Sequence, residues 1–450
     1  MPTTGEALLT DLYQLNMMAA YHEQGLTGAA AFELFFRRLP MRRSFLVAAG
    51  LDQALHFLET VAFSADQIDN IRGLGHFPDD FFASLRSFRF TGDVEAMPEG
   101  TMFFADEPII RVTAPLPQAQ FVETRLVNLL HFETVIASKA ARMVLAASGK
   151  PLIDYGLRRA HGAEAGILAA RASYIAGFSG TATVAAGLEF GIPVYGTMAH
   201  SFIQAHDDET LAFEHFAHSR PQGLVLLIDT YDTERAAGRV VGLARRLAKE
   251  GIAISGVRID SGNLGEHAVR VRRILDEGGL HAVKIVASGG LDEDALLALS
   301  RSDAPIDSYG VGTSLTTASD APALDCAYKL QEYAGTARRK RSEGKATWPG
   351  RKQVWRWCDP SGRFARDLVS LADDRHQGEA LLCPAMRGGR RLSDLPNLAA
   401  ARNRATDQLA RLPVLLARLE PYRYPVAIGA PLRELAADLD RRSGIDGSAA

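Results

Sequence analysis

The sequence predicts an α/β fold centred on a barrel of repeated strand–helix units, and three observations carry that prediction. Five short apolar runs between residues 190 and 315 each stop abruptly on glycine and polar residues: IPVYGTMAHS, LVLLIDTYDT, ISGVRIDSGN, VKIVASGG and SYGVGTS. Their markers Gly196, Ile228, Arg258, Ala287 and Gly310 fall 32, 30, 29 and 23 residues apart, the length of one strand, one loop and one returning helix. The stretches between the runs are punctuated as helices. Asp232 is an expected N-cap and Gly251 a stop, with Ala237, Val240, Val241, Ala244, Leu247 and Ala248 as one apolar stripe. Asn263, with Glu266 three residues on, resembles a capping box, Gly278 ends that helix, and Asp292 caps DEDALLALS. Active sites of βα barrels collect at the carboxyl ends of the strands. The polar residues on which these runs stop are therefore the expected rim of a site.

On either side of the repeats the pattern changes. Residues 1–125 read as a mixed α/β domain: Leu8 to Tyr21 has helical spacing, and AAFELFFRRLP and TGDVEAMPEGTMFFADEPIIRVTAPL read as strands. Alternation in DVEAM and IIRVTA predicts a half-exposed sheet. A long helical stretch from Gln118 leads into a barrel domain placed at residues 126–335. The C-terminal segment, 336–450, opens with the basic, turn-rich RRKRSEGKATWPGRKQVWRW, in which Arg338 to Arg341 read as a solvated face. It returns to helical spacing at 400–443, interrupted by EPYRYPVAIGAP, and ends in the small-residue tail GIDGSAA.

Composition excludes several classes. At 450 residues the chain exceeds one ordinary core. Hydrophobic residues at 47% and charged residues at 23% describe a soluble globular protein. The formal charge is −3 with dispersed basic residues, so no nucleic-acid partner is implied. No apolar run approaches the roughly 20 residues that span a bilayer, so no membrane partner is expected. The opening MPTTGEALLTDLYQ lacks a signal pattern. Cys326, Cys358 and Cys383 have no CxxC spacing, which argues against disulfides and structural zinc and for a cytoplasmic location.

The strand ends suggest phosphate and carboxylate chemistry. VASGG and GVGTS are glycine-rich turns after consecutive late strands, where backbone N–H groups and a following helix make a phosphate cradle. Arg258 and Asp260 lie two residues apart in VRIDSGN and would face the same side. The Arg can grip a carboxylate and the Asp can hold ribose hydroxyls or a metal-bound water, or the two can close the barrel top as an ion pair. His200 in GTMAHS, beside Ser201, can serve as base, acid or phosphate acceptor, or simply as a structural histidine. No HxH or HExxH accompanies it, which argues against zinc catalysis. Arg158 and Arg159 beside Tyr155 suit a pyrophosphate or phosphate, with one of the two expected in a surface salt bridge instead.

In this order the motifs resemble those of the nicotinate phosphoribosyltransferase family. The resemblance runs from TDLYQLNM through ASKAAR, GLRRAHG, GTMAHSF, LIDTYDT, GVRIDSGN, ASGGLDE and YGVGTSL to EGKATWPGRKQVWR, covering residues 10 to about 356. It implies an irregular α/β barrel of the second phosphoribosyltransferase type, beside an N-terminal open-faced α/β sandwich completed by post-barrel segments. It implies transfer of phosphoribosyl from phosphoribosyl pyrophosphate to nicotinate, the first step of NAD salvage from nicotinate, giving nicotinate mononucleotide and pyrophosphate. Mg²⁺ is the implied counter-ion, ATP the implied co-substrate in a ligase-type coupling, and a homodimer with shared active sites the implied assembly.

Carried over residue by residue, the resemblance makes His200 the histidine phosphorylated by ATP. Tyr155 and Tyr13 become the rings that sandwich the pyridine, Tyr13 coming from across the dimer interface. Arg258 lies next to the nicotinate carboxylate with Thr197 in the same pocket, Ser201 is a further substrate-binding residue, and Asp260 holds ribose hydroxyls. Arg158, Gly289, Gly290, Gly312 and Thr313 line the phosphate sites. Nicotinamide-using relatives carry an Asp in the segment matching FSGTATV, where this chain has Ala182, so the acid is the favoured substrate. The alternatives are a nicotinamide phosphoribosyltransferase and a non-catalytic barrel that binds phosphoribosyl pyrophosphate. An isomerase or aldolase would want a basic side chain at a strand end, and Lys284 sits inside VKIV. Asp229 and Asp232 carry no assigned role, and Lys139 and Arg142 are open between phosphate contact and pairing on the helix.

Overall fold

A computed structural model describes residues 7–442; the tail GIDGSAA lies outside the described residues. The chain forms two compact units, one of Lys139–Pro322 and one of Met1–Ser138 with Ala323–Ala450.

The central unit holds six parallel strands: β1 (Leu152–Asp154), β2 (Gly180–Thr181), β3 (Leu224–Leu227), β4 (Ile254–Ile259), β5 (Lys284–Ser288) and β6 (Ser308–Val311). Their order across the sheet is β2-β1-β6-β5-β4-β3. From β3 to β6 neighbours in space are neighbours in sequence, and β6 then pairs with β1, Tyr309 opposite Leu152 and Val311 opposite Asp154. This is a barrel order with one seam, and the sheet is accordingly a curled parallel half-barrel. Leu226, Leu227, Val257, Ile259, Ile285 and Val311 are fully buried, as strands covered on both faces require.

The run IPVYG, expected as a barrel strand, is reduced to one bridge between Val194 and Thr181. Pro193 has no N–H to give a ladder. Its carbonyl accepts from Thr181, and Tyr195 N–H returns a bond to the Thr181 carbonyl.

The helices after β3, β4 and β5 are Thr233–Leu247, Leu264–Glu277 and Glu293–Arg301, capped by the side chains of Asp232, Asn263 and Asp292. In the first, the buried face comprises Ala236, Ala237, Val240, Leu243 and Leu247. The stripe is thus turned from the expected one, leaving Val241 and Ala244 half-buried and Ala248 exposed. At the second, Asn263 Oδ1 accepts from Glu266 N–H, while its Nδ2 donates to Glu266 Oε1 at 2.8 Å. The glutamate therefore answers the cap's side chain rather than its backbone. Asn263→Ala is expected to cost about 1 kcal/mol, read as a lowered thermal midpoint at unchanged activity.

Lys139 is buried, bonded to Glu293 at 2.6 Å and Asp320 at 2.9 Å, and Arg142 lies 3.5 Å from Glu293. Both cations thus serve internal ion pairs, and Lys139 has no face left for a phosphate.

In the other unit a seven-stranded antiparallel sheet has the order 336–337, 325–333, 29–38, 108–115, 93–96, 383–387 and 390–391. Asp325–Tyr333 pairs with Ala29–Arg38, and Cys383–Arg387 with Asp93–Ala96, so post-barrel chain completes the N-terminal sheet. Strand Pro108–Pro115 is buried through its first five residues rather than alternating. The reason is a second sheet, built on Lys352–Cys358 and Phe364–Leu371, against the face expected to meet solvent. Buried Glu33 pairs with Lys352 at 2.7 Å, and Arg111 donates to the Lys352 carbonyl at 2.6 Å. Burial pushes the Lys352 amine down, and Glu33 opposes that shift.

Candidate active site

Three barrel strands run into an Ile–Asp pair at their carboxyl ends: Ile153–Asp154, Ile228–Asp229 and Ile259–Asp260. The isoleucines are buried among the strands, and the carboxylates fall at the barrel mouth. Asp229 is the junction. Its side chain is 1% exposed. Oδ2 accepts from the Asp260 N–H at 2.9 Å and from the Ser261 hydroxyl at 2.6 Å, while Oδ1 is buried without a hydrogen-bond partner. The Ser288 hydroxyl, at the end of β5, donates a short bond to Asp260 Oδ1. The ends of β3, β4 and β5 are thus stitched together through carboxylates.

His200 opens the short helix His200–Gln204 and sits over the same junction. Its Nδ1 is 3.0 Å from the Thr230 hydroxyl, and its Nε2 is 4.0 Å from the unpartnered Asp229 Oδ1. That second distance is too long for a hydrogen bond but close enough for charge to act. His200 and Asp260 therefore share one carboxylate, each facing a different oxygen.

Arg258, half-buried on β4, donates from Nη1 to Thr197 Oγ1 at 2.8 Å, and its buried Nε has no partner. No ion pair joins Arg258 to Asp260 among the described residues, so the pair does not close the barrel top on itself. Tyr155 follows β1, with its N–H bonded to the Val311 carbonyl at 2.8 Å. Its ring lies over Gly310, where a Cβ would come within 2.3 Å of the ring. Burial pushes the Tyr155 phenol up; Arg258 opposes and Asp260 reinforces that shift, which sets the ring beside both charges.

The two glycine turns are open at their amides. The N–H groups of Gly289, Gly290, Gly312 and Thr313 donate to no protein acceptor among the described residues. Gly289 has φ +92°, and a Cβ there would sit 1.9 Å from the Asp260 carbonyl oxygen. Gly290 has φ +65° in open space, and Gly312 precedes the one-turn helix Thr313–Thr316. Arg158 is exposed in the turn Leu157–Arg159 just after Tyr155, while Ser201 is exposed in the helix opened by His200 and Ala182 is exposed on its loop.

Tyr13 belongs to the other compact unit. There its hydroxyl donates to Glu123 at 3.2 Å, and burial with the Glu123 charge pushes its phenol up to about 12. Asp229 carried no assigned role in the sequence, and Thr230 and Ser288 were not singled out from it. The repeated Ile–Asp ending was the available signal for Asp229.

Comparisons with known proteins bear on this arrangement. Residues 8–131 match the nicotinate phosphoribosyltransferase N-terminal domain, 151–345 the nicotinate phosphoribosyltransferase family, and 374–436 its C-terminal domain. The chain belongs to the nicotinate phosphoribosyltransferase family. It is 48% identical over 425 residues to a nicotinate phosphoribosyltransferase of Mycobacterium tuberculosis, covering 94% of this chain and 91% of that protein. Identity to the Bacillus subtilis nicotinate phosphoribosyltransferase is 40%, over 82% of this chain and 77% of that protein. Among solved structures, human nicotinic acid phosphoribosyltransferase superposes with a TM-score of 0.87 at 29% identity, covering 96% of this chain and 99% of that one. All three family segments occur here in order, and the second carries the whole barrel mouth. No helix among the described residues is long and apolar enough to cross a membrane.

Proposed function

We propose that this protein transfers the phosphoribosyl group of phosphoribosyl pyrophosphate to the ring nitrogen of nicotinate, releasing pyrophosphate. The observation that carries the substrate is the orphaned, buried Nε of Arg258, a charged donor without an acceptor in the protein. A nicotinate carboxylate satisfies it, and Tyr155 beside it offers a face for the pyridine ring. Ala182 places no carboxylate on its loop to repel an acid.

The reaction needs no strong protein nucleophile. The C1–O bond to pyrophosphate breaks as the nitrogen lone pair forms the new C1–N bond. The pyrophosphate leaves with the bonding electrons, and positive charge develops on the ribose. The open amides of Gly289, Gly290, Gly312 and Thr313, with Arg158, stabilise the leaving group. Asp260, whose Oδ1 is held by Ser288, keeps Oδ2 for ribose hydroxyls. Among the described residues no three His, Cys, Asp or Glu side chains are grouped to hold a metal ion. Mg²⁺ would be carried by the substrate phosphates, where it would neutralise their charge, and Asp260 is the side chain that would hold it or its water in place of a ribose hydroxyl.

ATP coupling through His200 completes the proposal. With Nδ1–H donated to Thr230, the Nε2 lone pair is free to attack a γ-phosphoryl group, forming N–P as the P–O bond to ADP breaks. The Asp229 carboxylate next to Nε2 stabilises the positive charge the ring acquires. The assembly we propose is a homodimer, with Tyr13 of one protomer completing the partner's site.

The test is nucleotide formation from phosphoribosyl pyrophosphate with nicotinate, nicotinamide or quinolinate, each with and without ATP. Product from nicotinate, raised by ATP, is expected; turnover of nicotinamide alone would overturn the Arg258 and Ala182 argument. His200→Ala is expected to bring the rate with ATP down to the rate without it, and retained full stimulation would remove the phosphohistidine from the scheme.

A further inference from the structure

We propose that Asp154 is the positioning residue that couples the two loops bounding the pyridine site, and so sets the choice between nicotinate and its amide. Of the three strand-end carboxylates it alone has both oxygens taken by protein donors in its own neighbourhood. Oδ1 accepts from the Gly156 N–H at 2.7 Å, and Oδ2 from the Thr181 hydroxyl at 2.7 Å. Its backbone carbonyl accepts from the Ala182 N–H at 2.8 Å. Thr181 Oγ1 in turn accepts from the Thr183 N–H at 2.9 Å. With 1% of its surface exposed, Asp154 has no oxygen left for a substrate and acts only through what it holds.

What it holds is specific. Gly156 lies between Tyr155, the ring-stacking residue, and Arg158, the phosphate-side cation. A Cβ at Gly156 would meet Asp154 Oδ1 at 2.9 Å and Thr316 at 2.7 Å, so that loop has little room to move. Thr181 to Thr183 frame Ala182, the position whose side chain faces the pyridine substituent on the functional reading above. One carboxylate thus spaces the stacking ring against the residue that selects the substituent. An Asn in its place can still accept from Gly156 through Oδ1, but it offers Thr181 a donor where the hydroxyl hydrogen needs an acceptor, so the Thr181 hydroxyl must turn and the charge that holds both donors is lost.

The inference rests on the nicotinate reading, and the experiment has two arms so that the two can fail separately. In the kinetic arm, Asp154→Asn and Thr181→Val are each expected to raise the nicotinate KM about tenfold or more with kcat changed by less than about threefold. The preference for nicotinate over nicotinamide should narrow in parallel. Thr181→Ser keeps the hydroxyl and should return both quantities to within about twofold of the parent. In the second arm, hydrogen exchange of the apo protein is compared, and Asp154→Asn should lose protection in residues 155–162 and 180–184 together while the outer helices stay unchanged. An unaltered KM and preference in a folded Asp154→Asn protein, or a loss confined to kcat, would overturn the proposal. If the parent makes no nucleotide from nicotinate, the functional reading fails, and exchange alone decides: joint loosening of the two loops supports the coupling, and an unchanged or single-loop response ends it.

Discussion

Gly289→Ala is expected to lower kcat/KM by roughly a hundredfold or more while the protein still folds, because one added methyl group must move the backbone that carries Asp260. The Cβ would stand 1.9 Å from the Asp260 carbonyl oxygen, well inside any real contact, and the obstructing atom is backbone rather than a flexible side-chain tip. The residue also sits at φ +92°, which costs an alanine about 1–3 kcal/mol by itself. The displaced segment is the one whose N–H holds Asp229 and whose carboxylate receives the Ser288 hydroxyl. The shift therefore reaches the ribose site, the His200 site and the amide cradle at once. Gly290→Ala is the control, since its Cβ meets nothing within 4 Å and only the φ of +65° is unfavourable. It should lose about 1–2 kcal/mol of stability and far less activity. Paired thermal unfolding and steady-state kinetics of the two variants check this. Equal activity losses would mean that strain, and not the approach to Asp260, is what Gly289 avoids.

The barrel was legible because buried parallel strands and capped helices leave local marks: apolar runs ending on glycine or polar residues, and Asp or Asn at the starts of the helices after β3, β4 and β5. Where local marks and tertiary context disagreed, context won. IPVYG looked like its neighbours but carries Pro193, and the sheet receives only one bridge from it. IIRVTA alternated by side-chain type, yet a sheet contributed by residues beyond position 350 covers its other face, which no nearby residue could announce. In the site, Arg258, His200, Asp260 and the glycines were readable because polar residues at strand ends are unusual in themselves. Ser288 and Thr230 were not, since a hydroxyl next to a turn is ordinary until its partner is known. Lys139 was open between two readings, and its partners, Glu293 and Asp320, which bury it in an ion pair, lie more than 150 residues away, where no local mark could announce them.

Arg258→Gln is expected to raise the nicotinate KM by about 30- to 1,000-fold, the equivalent of about 2–4 kcal/mol, with little change in the KM for phosphoribosyl pyrophosphate. The guanidinium is half-buried, its Nη1 is committed to Thr197, and its Nε is buried without an acceptor. In the free enzyme that donor is partly desolvated and unsatisfied. A carboxylate arriving there gains a charge-assisted bond without displacing a protein partner. Glutamine keeps a donor for Thr197 but removes the charge, so the acid should suffer most while nicotinamide, which needs no counter-charge, suffers least. The ratio of the two kcat/KM values is thus the sharper readout, and it should move toward the amide. Arg258→Lys separates charge from shape: a lysine ammonium is a point charge that cannot reach Thr197 and the substrate through a planar fork. If lysine restores the nicotinate KM, charge alone selects the acid. If it does not, the fork anchored on Thr197 does, and Thr197→Val should then raise the nicotinate KM in an otherwise intact site.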